Sequence, residues 1–248
     1  MGYLMDNDMK IDRNKFEWAV FLYNSTEIDE CYNEAKSKGD KEKNKEYFCI
    51  VVKFLNKWKT RVPKKFYKKM TTWYVETGKS LLEVLKGKTI YDIGFEDEST
   101  IKNLYKSLCD LTVDIKNENT VKTIERGFGP IATGKTLHLL NPELFVAWDT
   151  NILKSYGLSL EMEGEKGAEE YMKFLKIMER LALKIRSSKN DEEEFLSNCI
   201  SLNEENSQSD NGGNGNRKTM AKFLDEYNWI VYTKNAKLPP KWYPGKPS

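Results

Sequence analysis

Residues 127–152, GFGPIATGKTLHLLNPELFVAWDTNI, hold the chain's only histidine, His138, with Lys135 and Asp149 in the same apolar run. Each of these side chains can do chemistry that depends on its surroundings. A lysine amine attacks electrophilic carbon and forms a Schiff base when burial or a neighbouring cation lowers its pKa. A carboxylate beside a reacting centre stabilises positive charge that develops in the transition state. A histidine three residues beyond a lysine shares its helical face, and near neutral pH it moves protons or contacts a phosphate. Read as letters, Gly129–Thr136 also spell G-x-x-x-x-G-K-T, the phosphate-cradling P-loop pattern.

The two readings need different elements around them. A P-loop requires a buried strand entering the loop, glycines that turn backbone N–H groups on phosphates, and a following helix whose N-terminus faces them. The entering segment VKTIERGF is charged and poorly suited to a central parallel strand. The following apolar helix, read as Thr136–Leu140, stops at Asn141-Pro142 after about one and a half turns. The alternative is a turn at Gly127, Gly129 and Pro130, that short helix with Lys135 near its start, a break, and a second helix over Thr150–Tyr156 capped by Asp149.

The rest of the chain reads as mainly helical. Apolar periodicity predicts helices over residues 13–38, 46–60, 64–85, 98–108, 167–188 and 219–227, with a short one around Val121 and Ile124. Pro63 and Gly87 punctuate this series. Residues 88–94 read as a strand or loop, NWIVYT (228–233) as a short strand, and the proline-rich end as extended. Residues 203–216 are low-complexity and read as a flexible loop. The predicted fold class is a mainly α multi-helix bundle with few or no short strands. It is a single helical domain of 1–248, divisible into two lobes (about 1–45 plus 155–248, and 46–154).

Composition narrows the function classes. The chain has 248 residues, 39% hydrophobic and 31% charged, enough to bury a sizeable core. Cys31, Cys49, Cys109 and Cys199 are far apart, and one histidine cannot complete a usual zinc set. No metal and no cofactor is expected, and the thiols read as reduced and buried. The N-terminal segment lacks a signal-peptide core, and no apolar run has membrane-spanning length. The expectation is a monomer in the cytoplasm, or in the nucleus of a eukaryote, with no membrane partner.

The net charge of +2 hides an asymmetry. From Lys53 to Val75 there are eight basic residues and no acidic one. Lys57, Lys59, Arg61, Lys64, Lys65 and Lys68, with Lys53 and Lys69, alternate with Phe54, Trp58, Phe66, Tyr67 and Trp73. Nucleic-acid surfaces use such mixtures, with cations for phosphates and aromatic faces for unpaired bases. The same pattern also suits a helix pair with buried aromatics and solvated lysines. Lys237, Lys241 and Trp242 extend the basic set.

Pro130, Lys135, Thr136, the apolar Leu137-Leu139-Leu140 and the Asp149-Thr150-x-Ile152 cluster together resemble the active-site segment of helix-hairpin-helix DNA glycosylases. The resemblance departs where the two hairpin glycines of that family align with Ile131 and Thr133, and in a shorter Lys-to-Asp spacing. It also lacks the family's iron–sulfur cysteines. It implies a helix-hairpin-helix glycosylase-like fold, duplex and damaged DNA as partner, and base excision with Lys135 and Asp149 catalytic. Breaking an N-glycosidic bond builds positive charge on the sugar, which Asp149 would stabilise. His138, Trp148 and Phe128 are then the substrate-binding candidates, with Phe145 a further apolar wall for a flipped base. Two other readings stand beside it. One is a non-enzymatic helical protein that binds nucleic acid or protein, with Lys135 and Asp149 structural. The other is a nucleotide-binding P-loop protein using 129–136.

Overall fold

The computed structural model describes residues 13–24, 29–39, 43–116, 123–159, 161, 163–187 and 218–237. The fold is mainly helical, as the periodicity predicts. The first predicted helix is two, α1 (Arg13–Asn24) and α2 (Asp29–Gly39). Asn44 caps α3 (Lys45–Lys57) by accepting from the N–H groups of Glu46 and Tyr47. After Pro63 the chain restarts as α4 (Phe66–Trp73) and continues through a π-helical turn (Tyr74–Gly78) into α5 (Lys79–Val84). Gly87, at φ +76°, ends this run in the left-handed conformation open to glycine. Residues 88–94 form a loop and turns, followed by a short 3₁₀ turn (Phe95–Asp97) and α6 (Glu98–Cys109).

The helix expected around Ile124 is instead the second strand of a hairpin. β1 (Thr112–Lys116) pairs antiparallel with β2 (Thr123–Gly127), with Ile115 opposite Ile124. Five residues rich in β-branched and charged types carry too little periodicity to separate helix from strand, and here pairing with β1 decides. Val121 lies outside the described residues. Phe128 N–H then bonds back to Leu111 C=O at 2.8 Å, closing the base of the hairpin.

α7 (Pro130–Leu140) starts six residues before the predicted helix, with Pro130 in its first turn. Every residue from Ala132 to Leu140 is buried. A helix apolar on all sides belongs inside a core, and α7 packs against α2, α3 and α6. Asn141 ends it, residues 142–144 form a turn, and α8 (Thr150–Ser155) follows.

α9 (Gly164–Ser187) lies along α6. α10 (Met220–Asn228) packs on α1 and α9. The predicted strand after it is a π-helical turn, Trp229–Thr233, that continues α10. Its aromatic and β-branched residues suit a strand by composition, but Trp229, Ile230 and Val231 are buried against the helical core and have no strand to pair with among the described residues. Residues 203–216 and the proline-rich end from 238 lie outside the described residues. The buried side chains form one contiguous hydrophobic cluster, from Phe16 in α1 to Val231. No helix among the described residues is long and apolar enough to cross a membrane.

Candidate functional site

Lys135 is the sixth residue of α7, in mid-helix rather than near the helix start. Burial, rather than a place in the first turn, is what acts on its ammonium. Lys135 is only 6% exposed. Its Nζ lies 4.1 Å from the centroid of the Trp58 ring. No described residue gives it a hydrogen bond or an ion pair. Burial pushes its pKa down, and the charge of Lys222 acts the same way, while Asp225 and Asp149 oppose both.

Trp58 follows the last turn of α3 and is half-buried. The loop that carries it is unusual, with Lys59 at φ +60° and Arg61 at φ +55°. Two non-glycine residues in the left-handed region within three positions require strong local restraint. Asn56 supplies it, donating from Nδ2 to Val62 C=O at 2.8 Å and accepting from Val62 N–H at 2.7 Å. Thr60 Oγ1 donates to Leu55 C=O at 2.6 Å. The Trp58 indole Nε1 is buried without a hydrogen-bond partner among the described residues.

Trp229 meets Trp58 edge-to-face at 5.3 Å, and Lys234 Nζ lies 4.7 Å from the Trp229 ring centroid. Four residues on from Trp229, Thr233 Oγ1 donates to Asp149 Oδ2 at 2.5 Å. Asp149 Oδ1 accepts from Asn151 N–H at 2.8 Å and from Ile152 N–H at 3.0 Å, the helix cap expected for it. The π-helical turn thus delivers Trp229 beside Trp58 and Thr233 to Asp149. Lys135 and Asp149 are close enough for the carboxylate to act on the ammonium through space, but no direct hydrogen bond joins them.

His138, expected as a phosphate or substrate contact, is 1% exposed. Its Nδ1 sits 2.6 Å from Phe145 C=O. A carbonyl only accepts, so Nδ1 carries the hydrogen and Nε2 is left as an acceptor. Nε2 is buried without a partner among the described residues. The ring stacks on Tyr32 at 5.5 Å.

Trp148 and Phe128, expected as walls for a flipped base, pack in the hydrophobic core. Trp148 is fully buried among Tyr105, Tyr171 and Phe174, and its Nε1 donates to Pro130 C=O at 3.0 Å. Phe128 is buried against Phe66, and Phe145 is fully buried beside Tyr171. The Trp148 indole also explains Gly134. A Cβ there would meet Trp148 Cδ1 at 2.4 Å, so glycine is needed for the indole to lie on the helix backbone. The G-K-T letters thus record packing. Residues 130–136 are helical, Thr133 N–H bonds to Gly129 C=O at 3.1 Å, and the entering strand belongs to an exposed antiparallel hairpin. Backbone donors used inside a helix cannot ring a phosphate.

Lys57, Lys59, Arg61, Lys64, Lys65 and Lys68 are all exposed, as are Lys53 and Lys69. Phe54, Phe66 and Trp73 between them are buried, so most of the aromatics in this stretch belong to the core. Trp58 and Tyr67 are half-buried, and each has a lysine over its ring, Lys135 on Trp58 and Lys45 on Tyr67. Lys65 Nζ donates to Asp114 C=O at 2.9 Å and so ties α4 to the hairpin. Lys237 is exposed, while Lys241 and Trp242 lie outside the described residues.

Sequence reading missed the acidic and basic groups of α10. Lys222 is 1% exposed, with Nζ 3.3 Å from Asp225 Oδ2, 3.6 Å from Glu226 Oε1 and 3.2 Å from Tyr23 OH. Glu226 Oε1 also accepts from Lys218 at 2.7 Å. Their spacing looks like an ordinary solvated helix face, and only packing of α10 on α1 and α9, with the Tyr23 and Tyr32 rings against Lys222, takes these charges inside. Cys109 is buried and its thiol is pushed up to about 11, mainly by burial, so it is no nucleophile at neutral pH. No group of metal-ligating side chains occurs among the described residues. No family profile matches the chain, and no curated protein or solved structure compared with it does either.

Proposed function

We propose that this chain is a DNA-binding protein with base-excision chemistry, an N-glycosylase with a lyase step, in which Lys135 is the nucleophile and Asp149 the electrostatic partner. The observation that carries the reading is Lys135 itself. It is a buried lysine with a lowered pKa and no anionic hydrogen-bond partner, with an aspartate acting on it through space. Structural lysines are mostly exposed or paired. An unpaired buried one has the environment that makes an amine nucleophilic at neutral pH.

In this scheme Lys135 Nζ attacks C1′ of the sugar, and the base leaves with the electrons of the glycosidic bond. Asp149 stabilises the positive charge that builds on the sugar as that bond lengthens. Nζ then gives up a proton, the C1′–O4′ bond breaks with O4′ taking a proton to become a hydroxyl, and an imine joins Nζ to C1′. The Trp58 ring lies against Nζ, 4.1 Å from it at the centroid. The loop that holds Trp58 also presents Lys57, Lys59 and Arg61 to solvent, so the phosphate-binding cations and the ring over Nζ share one segment.

Borohydride reduction of the imine tests this directly. Wild-type protein is expected to become covalently attached to duplex DNA carrying an abasic or damaged site, and Lys135→Met to lose the adduct. No adduct and no base release across a panel of lesions would sink the reading. A second reading, a non-enzymatic nucleic-acid-binding protein, draws on the cation–π seat of Lys135 and the helix-capping role of Asp149. It predicts salt-dependent DNA binding without turnover.

A further inference from the structure

Two polar groups on α7, the amine of the buried Lys135 and the buried Nε2 of His138, are complementary to each other. Lys135 Nζ has hydrogens to donate and receives no hydrogen bond or ion pair from the described residues. His138 Nε2 has a lone pair, no hydrogen in the tautomer that Phe145 C=O enforces, and no partner among the described residues. Residues three apart on a helix stand about 5–6 Å from each other at Cβ. Both side chains face one wall of rings. Trp58 lies over Lys135, Phe54 is 6.1 Å from Trp58, Tyr32 is 6.3 Å from Phe54, and Tyr32 stacks on His138. Buried polar groups in native proteins are nearly always satisfied. No direct bond joins the Lys135 donor to the His138 acceptor one turn on, and one water is enough to bridge them.

We infer that His138 is the positioning residue for the Lys135 amine, with Nε2 linked to Nζ through one bridging water and taking the ammonium proton by way of it before the amine reacts. This rests on the excision reading for its purpose but not for its geometry. The transfer balances simply. Nζ gives up one proton, Nε2 gains one, a bridging water is unchanged, and the Nδ1–H bond to Phe145 C=O persists. The products are a neutral amine with a free lone pair and an imidazolium. Asp225 of α10 favours that imidazolium, while Lys222 of α10 and burial disfavour it, so it is a transient proton holder. Tyr32 of α2 contributes its ring face, and Lys135 itself ceases to oppose the imidazolium once it is neutral.

The single histidine makes the test clean, because the imidazole resonances need no assignment. In long-range proton–nitrogen spectra of the full chain, His138 is expected as the Nδ1–H tautomer with a hydrogen-bonded Nε2. Lys135→Met should shift the Nε2 resonance and raise the pKa of His138, since a facing donor and cation are gone. An Nε2 resonance and pKa unchanged in Lys135→Met would overturn the inference. His138→Asn keeps a polar group opposite Phe145 C=O but has nothing at the Nε2 position. Its borohydride-trapping rate should fall about a hundredfold and change its pH profile on the acidic side. A profile of unchanged shape, merely scaled, would mark His138 as structural. If the wild-type chain traps no DNA, the excision reading fails, and the spectra still decide whether the two side chains are linked. The Lys135→Met spectra also do not depend on His138→Asn folding.

Discussion

Lys135 is the residue at which stability and chemistry pull apart. In the unfolded chain its ammonium has the ordinary value of 10.5, and in the folded chain burial lowers it. Between those two values the unfolded state binds more protons, so the contribution of Lys135 to stability rises with pH across that window. Below the folded value the full penalty of a buried cation is present. Lys135→Met is therefore expected to stabilise the fold by roughly 0.5–2 kcal/mol at neutral pH, a gain that shrinks as pH approaches 10.5. Thermal melts of both proteins from pH 6 to 10.5 check it, and an equal gain at every pH would show that Lys135 is not the source. Asp149 separates in a different way. Asp149→Ala loses the cap on α8 and the Thr233 bond, and should cost about 1–2 kcal/mol. Asp149→Asn keeps a capping oxygen but loses the charge. It should fold normally and, under the proposed function, cut base release about a hundredfold. Base release and melting measured on the same preparations would tell the two roles apart.

At the scale of elements, α7 and the Trp58 loop form the site together. α7 was legible as an apolar segment, but its start was misplaced, because Gly129, Pro130 and Gly134 read as turn or loop residues. In the fold Gly134 is mid-helix because the Trp148 indole lies on it. The basic stretch was legible as charge, and its lysines are exposed. Which of its aromatics faces the site was not legible, because Trp58 and Phe54 belong to one apolar pattern. The restraint by Asn56 that aims Trp58 depends on Val62 coming back within hydrogen-bond reach. If Lys57, Lys59 and Arg61 bind phosphates, replacing all three by Gln should weaken DNA binding evenly across sequences. The slope of log affinity against log salt should fall by about 0.9 for each phosphate that is no longer neutralised. Filter binding from 50 to 200 mM salt is a sufficient measurement, and an unchanged slope would place the DNA surface elsewhere.

For the whole molecule, the buried side chains make one cluster shared by α1, α3, α6, α7, α9 and α10. α7 draws on α2, α3 and α6 at once, so the helices before and after it cannot lose their packing independently. Unfolding is expected as one cooperative transition, with tryptophan fluorescence and far-ultraviolet circular dichroism giving the same midpoint. Separate midpoints would mean that parts of the cluster melt alone. The small net charge is likewise a sum over unlike regions. The exposed cations that have no acidic residue between them in sequence lie on α3, α4 and the loop between them, and the buried ion cluster lies on α10.

What the sequence by itself determined is local: the helical class, most helix spans, the Asp149 cap, the breaks at Gly87 and Asn141, and the concentration of positive charge near α4. These follow from periodicity and from the hydrogen bonds that a residue makes with its own neighbours. Only the tertiary structure decided which charges went inside. It buried Lys135 under Trp58, took Lys222, Asp225 and Glu226 off an apparently solvated face, made core residues of Trp148 and Phe128, and turned a strand-like NWIVYT into the π-helical turn that reaches Asp149. Burial is set by which distant helices pack together, and a lysine's type and spacing read the same in water as in a core.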